Sequence, residues 1–166
     1  SETEKKPLFD FAQALGAPML TGWLGREPEL WEDLAGYLEQ YDMRYGIEPH
    51  GPGYSLATVE EIKDALAVSD RIGVCPDTGV WAVQGIDPPA AVESLADRVI
   101  HTHLKGYNRA KKLCAPGDDD SGLDRVVRIL RDTGYQGVYS IEFEADHDSD
   151  AEVARARQMI LDILAE

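Results

Sequence analysis

The chain has 166 residues, of which 43% are hydrophobic and 28% are charged, a composition typical of a soluble globular protein with one sizeable core and not of disordered or fibrous classes. Its 16 basic and 31 acidic side chains give a formal net charge of −15, and so acidic a chain is not expected to bind nucleic acid. No stretch approaches the ~18 apolar residues of a membrane span, and the opening SETEKK is too charged for a signal peptide. The two cysteines form no disulfide framework. We therefore expect a cytoplasmic protein.

Short apolar runs alternate along the chain with stretches of helical periodicity. In chain order the predicted elements are strand 18–22, helix 29–40, strand 44–48, helix 58–68, strand 71–75, helix 89–96, strand 98–104, helix 123–132, strand 138–143 and helix 150–165. Helix 58–68 has the clearest start, because Thr58 with Glu61 three residues later is the pattern of a capping box. Segments 76–88 and 105–122 are predicted as loops.

This alternation predicts an α/β fold with a parallel sheet. The connections between the predicted strands are too long for hairpins, so each strand returns through a helix by a right-handed crossover. We count about five such βα units. In parallel sheets and barrels, the reactive side chains lie at the carboxyl ends of the strands. The candidate functional residues are therefore those that follow each predicted strand.

Four consecutive predicted strands end in a side chain that binds metals or transfers protons: Glu48, Asp77, His103 and Glu142. Their spacing is about one βα unit, so the topology can bring all four to one rim. Carboxylates with one imidazole suit Mn²⁺, Co²⁺, Mg²⁺ or Zn²⁺. Each residue also has a plain structural interpretation: Glu48 as a solvated strand end, Asp77 as a turn residue, His103 as a packed side chain and Glu142 as an exposed charge.

Four segments around these residues resemble one family: GIEPHGPGY at 46–54, GVCPDTG at 73–79, RVIHTHLKG at 98–106 and GYQGVYSIEFE at 134–144. They are similar, in this order, to motifs of the xylose-isomerase-like superfamily of sugar isomerases and epimerases, which are TIM barrels. The resemblance covers nearly the whole chain from about Leu8. It implies that one divalent metal ion is bound by Glu48, Asp77, His103 and Glu142, and that the two glutamates are also the catalytic acid and base on an enediolate.

Four further residues are candidates for substrate binding. The resemblance implies this role for His50, which closely follows the first glutamate, and for Arg109, six residues past the metal-binding histidine. Lys105 and Arg109 belong to a basic loop that either binds an anionic group of the substrate or is solvated. Trp81 either lines the sugar pocket or packs in the core. The chain departs from the family at Val80, where the family commonly has a histidine after DTG.

The chain is short for such a barrel, which needs eight βα units and typically about 250 residues. The resemblance implies that residues 1–166 are a single domain equivalent to the C-terminal portion, a partial (β/α)8 TIM barrel that begins in the helix before the fourth strand. An open five-stranded piece exposes sheet edges and apolar interior. We therefore expect a fragment, a homo-oligomer, or a subunit completed by a chain that supplies the missing N-terminal strands.

The resemblance thus implies a metal-dependent isomerase or epimerase that acts on a sugar, sugar phosphate or keto-polyol. A catalytically incomplete barrel fragment or accessory subunit is the first alternative, and a related keto-polyol dehydratase is the second, since dehydration uses the same first step. Two other classes are disfavoured. An aspartic protease needs two DTG aspartates and a mostly β fold, and a DNA-repair endonuclease of the same superfamily needs more histidines than the four present.

Overall fold

The computed structural model of the chain describes residues 2–51, 53, 55–108, 113–114, 121–144 and 149–166. Its α-helices are α1 (Glu2–Ala14), α2 (Pro28–Tyr41), α3 (Val59–Leu66), α4 (Thr78–Gln84), α5 (Pro88–Leu95), α6 (Leu123–Asp132) and α7 (Ser149–Leu164). Its strands are β1 (Met19–Gly22), β2 (Arg44–Ile47), β3 (Ile72–Val74), β4 (His103–Leu104), β5 (Gly106–Tyr107), β6 (Leu113–Cys114) and β7 (Ser140–Ile141). Within these ranges no helix is long and apolar enough to cross a membrane.

Five strands run parallel and lie side by side in chain order. β1 pairs with β2, starting with Met19 opposite Arg44, and β2 pairs with β3. Isolated parallel bridges, one of them between Asp77 and His103, connect β3 to β4, and β4 pairs with β7. Parallel strands that follow chain order, with helices between them, are the arrangement of a (β/α)8 barrel. The predicted α/β fold, a partial barrel with about five parallel units, is confirmed.

The helices begin where local chemistry predicts. The Thr58 hydroxyl accepts a hydrogen bond from the Glu61 amide at 3.3 Å, and the Glu61 carboxylate accepts one from the Thr58 amide at 3.0 Å. This completes the predicted capping box of α3. α2 has a proline, Pro28, in its first turn and ends at Asp42 in the left-handed conformation, with φ of +52°.

One hydrophobic cluster joins the helices to the sheet. Its fully buried members come from both layers, and they include Leu38 of α2, Ile47 of β2, Ile62 of α3, Ile72 of β3, Val92 of α5 and Leu130 of α6. Burial of each such side chain contributes roughly 1.5–3 kcal/mol relative to leaving it in water. This packing holds the carboxyl ends of the strands in fixed relative positions.

The two segments predicted as loops contain short elements. Residues 76–88 include α4, whose seven residues are too few to show a periodic pattern. The Asp77 side chain caps the start of α4, and Gly85 ends it with φ of +78°. Residues 105–122 include β5 and β6, which pair in antiparallel fashion. The last two predicted strands shrink to the two-residue strands β4 and β7.

β1 forms an open edge of the sheet, since in the described part of the chain it pairs with β2 alone. Beside it, α1 exposes Leu8 and Phe11. Two further apolar side chains are exposed nearby, Leu15 just beyond α1 and Trp23 just after β1. A cavity of about 250 Å³, lined mainly by apolar side chains, lies in the same region. The end of the molecule next to β1 therefore presents apolar surface.

Candidate metal centre

The four predicted ligands lie at the carboxyl ends of neighbouring parallel strands. For three of them the main-chain N–H donates to a carbonyl at the end of the preceding strand: Glu48 to Gly22 at 2.9 Å, His103 to Pro76 at 2.9 Å and Glu142 to Leu104 at 3.1 Å. The hydrogen-bond ladder of the sheet thus extends to the ligands themselves. Their positions are set by the sheet and not by mobile loops.

Asp77 has two roles at once. Its Oδ1 accepts a hydrogen bond from the Val80 amide at 2.9 Å and caps α4. Its Oδ2 is buried and lies 3.3 Å from the ammonium nitrogen of Lys105. The interpretation of Asp77 as a residue that bonds its own backbone is therefore right for one oxygen, and the second oxygen is left for a ligand.

The side chains of the four residues converge. Glu48, Asp77 and His103 each contribute one ligand atom to a group whose members lie within 4.8 Å of one another. The His103 Nδ1 atom lies 3.4 Å from Glu48 Oε1 and 3.9 Å from Glu142 Oε2. The structure therefore brings together all four residues that the sequence singles out.

Three atoms at this centre are buried without a hydrogen bond among the described residues: Asp77 Oδ2, His103 Nδ1 and Glu142 Oε2. Their charged neighbours lie at ion-pair distances of 3.2 to 3.9 Å without hydrogen-bond alignment. A buried polar atom that lacks a partner costs about 1–3 kcal/mol, so three in one place are unfavourable unless something binds them. Carboxylate oxygens and an imidazole nitrogen that converge in this way fit a divalent cation.

Lys105 places a positive charge inside the centre. Its Nζ lies 3.3 Å from Asp77 Oδ2, 3.2 Å from Glu142 Oε2 and 3.1 Å from Glu144 Oε1. The sequence predicts Lys105 as a substrate-binding residue of a basic loop, and that contact stays a prediction. The sequence does not predict that Lys105 lies among carboxylates, nor that Glu144 is one of them. Each lies two residues after a predicted ligand, but β4 ends at Leu104 and β7 at Ile141, so the alternation of side chains along a strand does not place them.

The charges at the centre shift one another's pKa values. The imidazole of His103 lowers the pKa of Glu48, and Glu48 in turn raises the pKa of His103. Burial raises the pKa of Asp77, and the charge of Lys105 only partly offsets this effect. Burial alone would lower the pKa of Lys105, but Asp77 and the neighbouring glutamates raise it above its ordinary value. Lys105 is therefore a fixed positive charge at neutral pH.

His50 lies beside the centre. Its ring stacks on Trp23, with the ring centroids 3.7 Å apart, and its Nδ1 is buried with no hydrogen-bond partner among the described residues. A cleft of about 430 Å³ extends from His50 past Val80 to Lys105 and Glu144. The predicted substrate contact of His50 stays a prediction. No motif marks Trp23, and only its position just after a strand end points to it.

Trp81 does not line this cleft. Its side chain is fully buried, and its indole N–H donates to the carbonyl of Ala57 at 2.9 Å. A ring packed in this way offers no face to a sugar, so the structure corrects the expected substrate contact in favour of the packing alternative. The predicted substrate-binding Arg109 lies outside the described residues, as do Lys111 and Lys112.

Solved structures share this fold. The xylose isomerase domain protein from Planctomyces limnophilus superposes with a TM-score of 0.81 over 97% of this chain and 64% of that chain, at 20% identity. A xylose isomerase-like TIM barrel protein from Mycobacterium smegmatis, in complex with magnesium, gives a TM-score of 0.75 over 95% of this chain and 64% of that chain, at 18% identity. Identities this low establish the fold alone.

Sequence comparisons add the family. An inosose dehydratase from Lactiplantibacillus plantarum is 28% identical over 142 residues, which are 70% of this chain and 47% of that protein. The chain thus spans about half the length of the curated relatives that it matches. The family model described as xylose isomerase-like TIM barrel matches residues 6–163. Because it spans nearly the whole chain, this match shows that the chain belongs to the xylose isomerase-like TIM barrel family.

Proposed function

We propose that this chain carries the metal centre of an enzyme that removes a proton next to the carbonyl group of a keto-polyol or sugar and then eliminates water. The observation that carries the proposal is the set of three buried ligand atoms without partners, beside the carboxylate of Glu48. One divalent cation, Mn²⁺, Co²⁺, Mg²⁺ or Zn²⁺, would be held by Glu48, Asp77, His103 and Glu142. When bound, such a cation polarises a carbonyl group and stabilises the negative charge that forms on its oxygen.

The carboxylates of the chain supply the base. The side chain of Glu142 is 37% exposed and that of Glu48 only 18%, so Glu142 is the carboxylate that a substrate reaches more easily. It accepts the proton from the carbon next to the carbonyl, and the electron pair of the C–H bond shifts toward the carbonyl oxygen to give an enolate.

Elimination then follows if a hydroxyl group lies on the next carbon. The carbonyl group re-forms, a carbon–carbon double bond forms, and the hydroxyl group leaves with a proton as water. One keto-polyol thus gives one enone and one water molecule, with no redox change. The relative that is 28% identical is named a dehydratase, which supports elimination as the outcome of proton removal.

Isomerisation or epimerisation is the second candidate, because two glutamates lie at the centre. Glu48 and Glu142 approach the same ring nitrogen of His103 at 3.4 Å and 3.9 Å. Two carboxylates around one substrate can remove a proton at one position and return it at another, so that no water is lost. The two candidates share their first step and differ in their product.

We further propose that residues 1–166 are one C-terminal portion of a barrel and that additional βα units complete its site. A closed barrel of this family has eight strands, and the described part of the chain contributes five parallel ones. The open edge of β1 and the apolar residues Leu8 and Phe11 of α1 offer the surface for these units. Another chain, a second copy of this one or further residues of the same protein can supply them. A catalytically incomplete fragment is the alternative.

Hydrogen exchange into the substrate tests the shared step. The Mn²⁺-supplied chain is incubated with a cyclic keto-polyol in D₂O, and proton NMR follows the signal of the carbon next to the carbonyl. We expect this signal to disappear with the wild type and to do so about a hundredfold more slowly with Glu142→Gln, whose metal content is checked separately. Glu60→Gln, which changes an exposed glutamate of α3, is the control.

The reaction products distinguish elimination from isomerisation. A new ultraviolet absorbance from an enone indicates elimination, whereas exchange with a new ketose and no enone indicates isomerisation. Unchanged exchange in Glu142→Gln would contradict the role of this residue as the base. Absence of exchange with any form of the chain would contradict activity of this chain alone and favour the incomplete fragment.

A further inference from the structure

We propose that Lys105 is the counter-ion of the metal centre: it neutralises Asp77 and Glu142 before a divalent cation binds, and it keeps only its hydrogen bond to Glu144 when the cation takes their oxygens. Lys105 is in this sense a positioning residue, which sets how tightly the centre binds its cation. The inference rests on the proposed metal centre and adds to it a side chain that is not one of the four ligands.

The main chain of Lys105 is fastened to the first turn of α4. The Thr78 hydroxyl accepts a hydrogen bond from the Lys105 N–H at 2.9 Å and donates one to the Lys105 carbonyl at 2.9 Å. Both bonds are buried. Asp77 caps the same turn. One helix start therefore fixes both a ligand carboxylate and the lysine that faces it.

The aliphatic stem of Lys105 lies against Gly79 in the same turn. A Cβ atom at Gly79 would lie 2.7 Å from the Cγ and Cδ atoms of Lys105 and 2.9 Å from its Cβ atom. Real Cβ atoms do not come so close to their neighbours, so only glycine leaves room for the lysine to cross here. Each residue of the Asp-Thr-Gly motif therefore has its own contact with Lys105. Asp77 faces its ammonium group, Thr78 hydrogen-bonds its main chain, and Gly79 leaves space for its side chain.

The three carboxylates around the ammonium group differ in exposure. The side chain of Asp77 is 1% exposed, that of Glu142 is 37% exposed and that of Glu144 is 50% exposed. Glu144 is not one of the four predicted ligands, and its Oε1 accepts a hydrogen bond from the Lys105 ammonium group at 3.1 Å. Glu144 therefore offers the ammonium group a position at the solvent edge. The flexible stem of lysine lets the ammonium group shift away from Asp77 and Glu142 while the main chain of Lys105 stays hydrogen-bonded to Thr78.

A bound cation and the ammonium group need the same two oxygens. Asp77 Oδ2 and Glu142 Oε2 lie 3.3 Å and 3.2 Å from the Lys105 nitrogen, and they are two of the three buried atoms without a hydrogen bond. A divalent cation at these oxygens repels an ammonium group that stays beside them, and burial leaves little water to screen the repulsion. Binding of the cation therefore includes the cost of displacing Lys105.

Calorimetric titration of the whole chain with Mn²⁺ tests this displacement. Lys105→Met keeps an aliphatic stem against Gly79 and removes the charge, and we expect its affinity for Mn²⁺ to rise about tenfold. Glu144→Gln removes the receiving carboxylate, so we expect its affinity to fall about fivefold. Lys63→Met, which changes an exposed lysine of α3, is the matched control and should bind as the wild type does.

A merely structural role for Lys105 predicts the opposite sign, because loss of packing would loosen the ligands and weaken binding. Affinity in a folded Lys105→Met that equals or falls below that of the wild type therefore overturns the proposal; thermal unfolding in EDTA establishes that the variant is folded. If Lys105→Met does not fold, Glu144→Gln decides, and an unchanged affinity there overturns the proposal. If neither the wild type nor Lys105→Met binds Mn²⁺, the proposed metal centre fails as well.

Discussion

Among the described residues, two clusters that each place one cation beside several carboxylates differ in location, since one lies on the surface and one at the strand ends. On the surface, Arg71 donates to Glu39 at 2.7 Å and to Asp42 at 2.9 Å, and the side chains of these acids are 77% and 91% exposed. At the strand ends, Lys105 lies 3.1 to 3.3 Å from its three carboxylates, of which Asp77 is almost fully buried. The surface cluster has the shorter contacts, but water and salt screen it.

Burial and unmet hydrogen bonds, more than contact length, distinguish the strand-end cluster from the surface cluster. The acids around Arg71 form complete hydrogen bonds and keep much of their hydration. By contrast, Asp77 Oδ2 and Glu142 Oε2 are buried without a hydrogen bond. Buried charges are tolerated only when other charges balance them. We therefore expect the strand-end cluster, and not the surface cluster, to bind a divalent cation.

Removal of the buried negative charge is expected to have the largest effect. Asp77→Asn keeps an oxygen that can cap α4 through the Val80 amide, but it removes the charge that attracts a divalent cation. We expect the affinity for Mn²⁺ to fall about a hundredfold, near the ~3 kcal/mol typical of breaking a buried charge pair. Calorimetry measures this loss. Asp77→Ala should in addition lower the free energy of unfolding by about 1 kcal/mol more than Asp77→Asn, because it loses the cap. Wild-type affinity in Asp77→Asn would exclude Asp77 as a ligand.

Removal of the clamp on Lys105 is expected to have an intermediate effect. Thr78→Val leaves the N–H and C=O groups of Lys105 without their buried partner, so we expect the free energy of unfolding to fall by about 1–3 kcal/mol. Thr133→Val is the matched control, since the Thr133 hydroxyl also donates to a carbonyl, that of Ile129 at 2.8 Å, but at the surface. Urea unfolding measures both variants. Equal losses would contradict a special contribution from the buried clamp.

Disruption of the surface cluster is expected to have the smallest effect. Arg71→Met keeps the aliphatic stem and removes the contacts to Glu39 and Asp42. Exposed ion pairs contribute about 0.2–1 kcal/mol, so we expect the free energy of unfolding to fall by less than about 1 kcal/mol, and by less still in high salt. The affinity for Mn²⁺ should not change. A loss as large as that of Thr78→Val would contradict the distinction between the two clusters.

The longer elements could be predicted from the sequence because their signals are local. Helix α6 lies at the predicted residues 123–132, and α3 begins directly after the predicted capping box at Thr58. The parallel order of the strands followed from the helices between them. The convergence of Glu48, Asp77, His103 and Glu142 could be predicted for the same reason, since each follows a strand whose carboxyl end faces one rim.

The shorter elements and part of the site depend on contacts between distant residues, which the sequence does not display. β4 begins where His103 forms a bridge with Asp77, and β7 exists only through its pairing with β4. Trp81 is buried because its indole group reaches the carbonyl of Ala57. The place of Lys105 among carboxylates from two other strand ends likewise appears only after the sheet has formed.

The proposed function depends on one divalent cation held by four strand-end side chains. Elemental mass spectrometry of protein purified without chelator, before and after supply of Mn²⁺ or Co²⁺, measures it most directly in the wild type, His103→Ala and His101→Ala. His101 is the matched control, because its ring lies edge-on to that of His103 at 5.5 Å and is not among the converging ligand atoms. We expect about one equivalent of metal in the wild type and in His101→Ala, and none in His103→Ala. No metal in the wild type, or an equal amount in His103→Ala, would contradict the four-ligand centre.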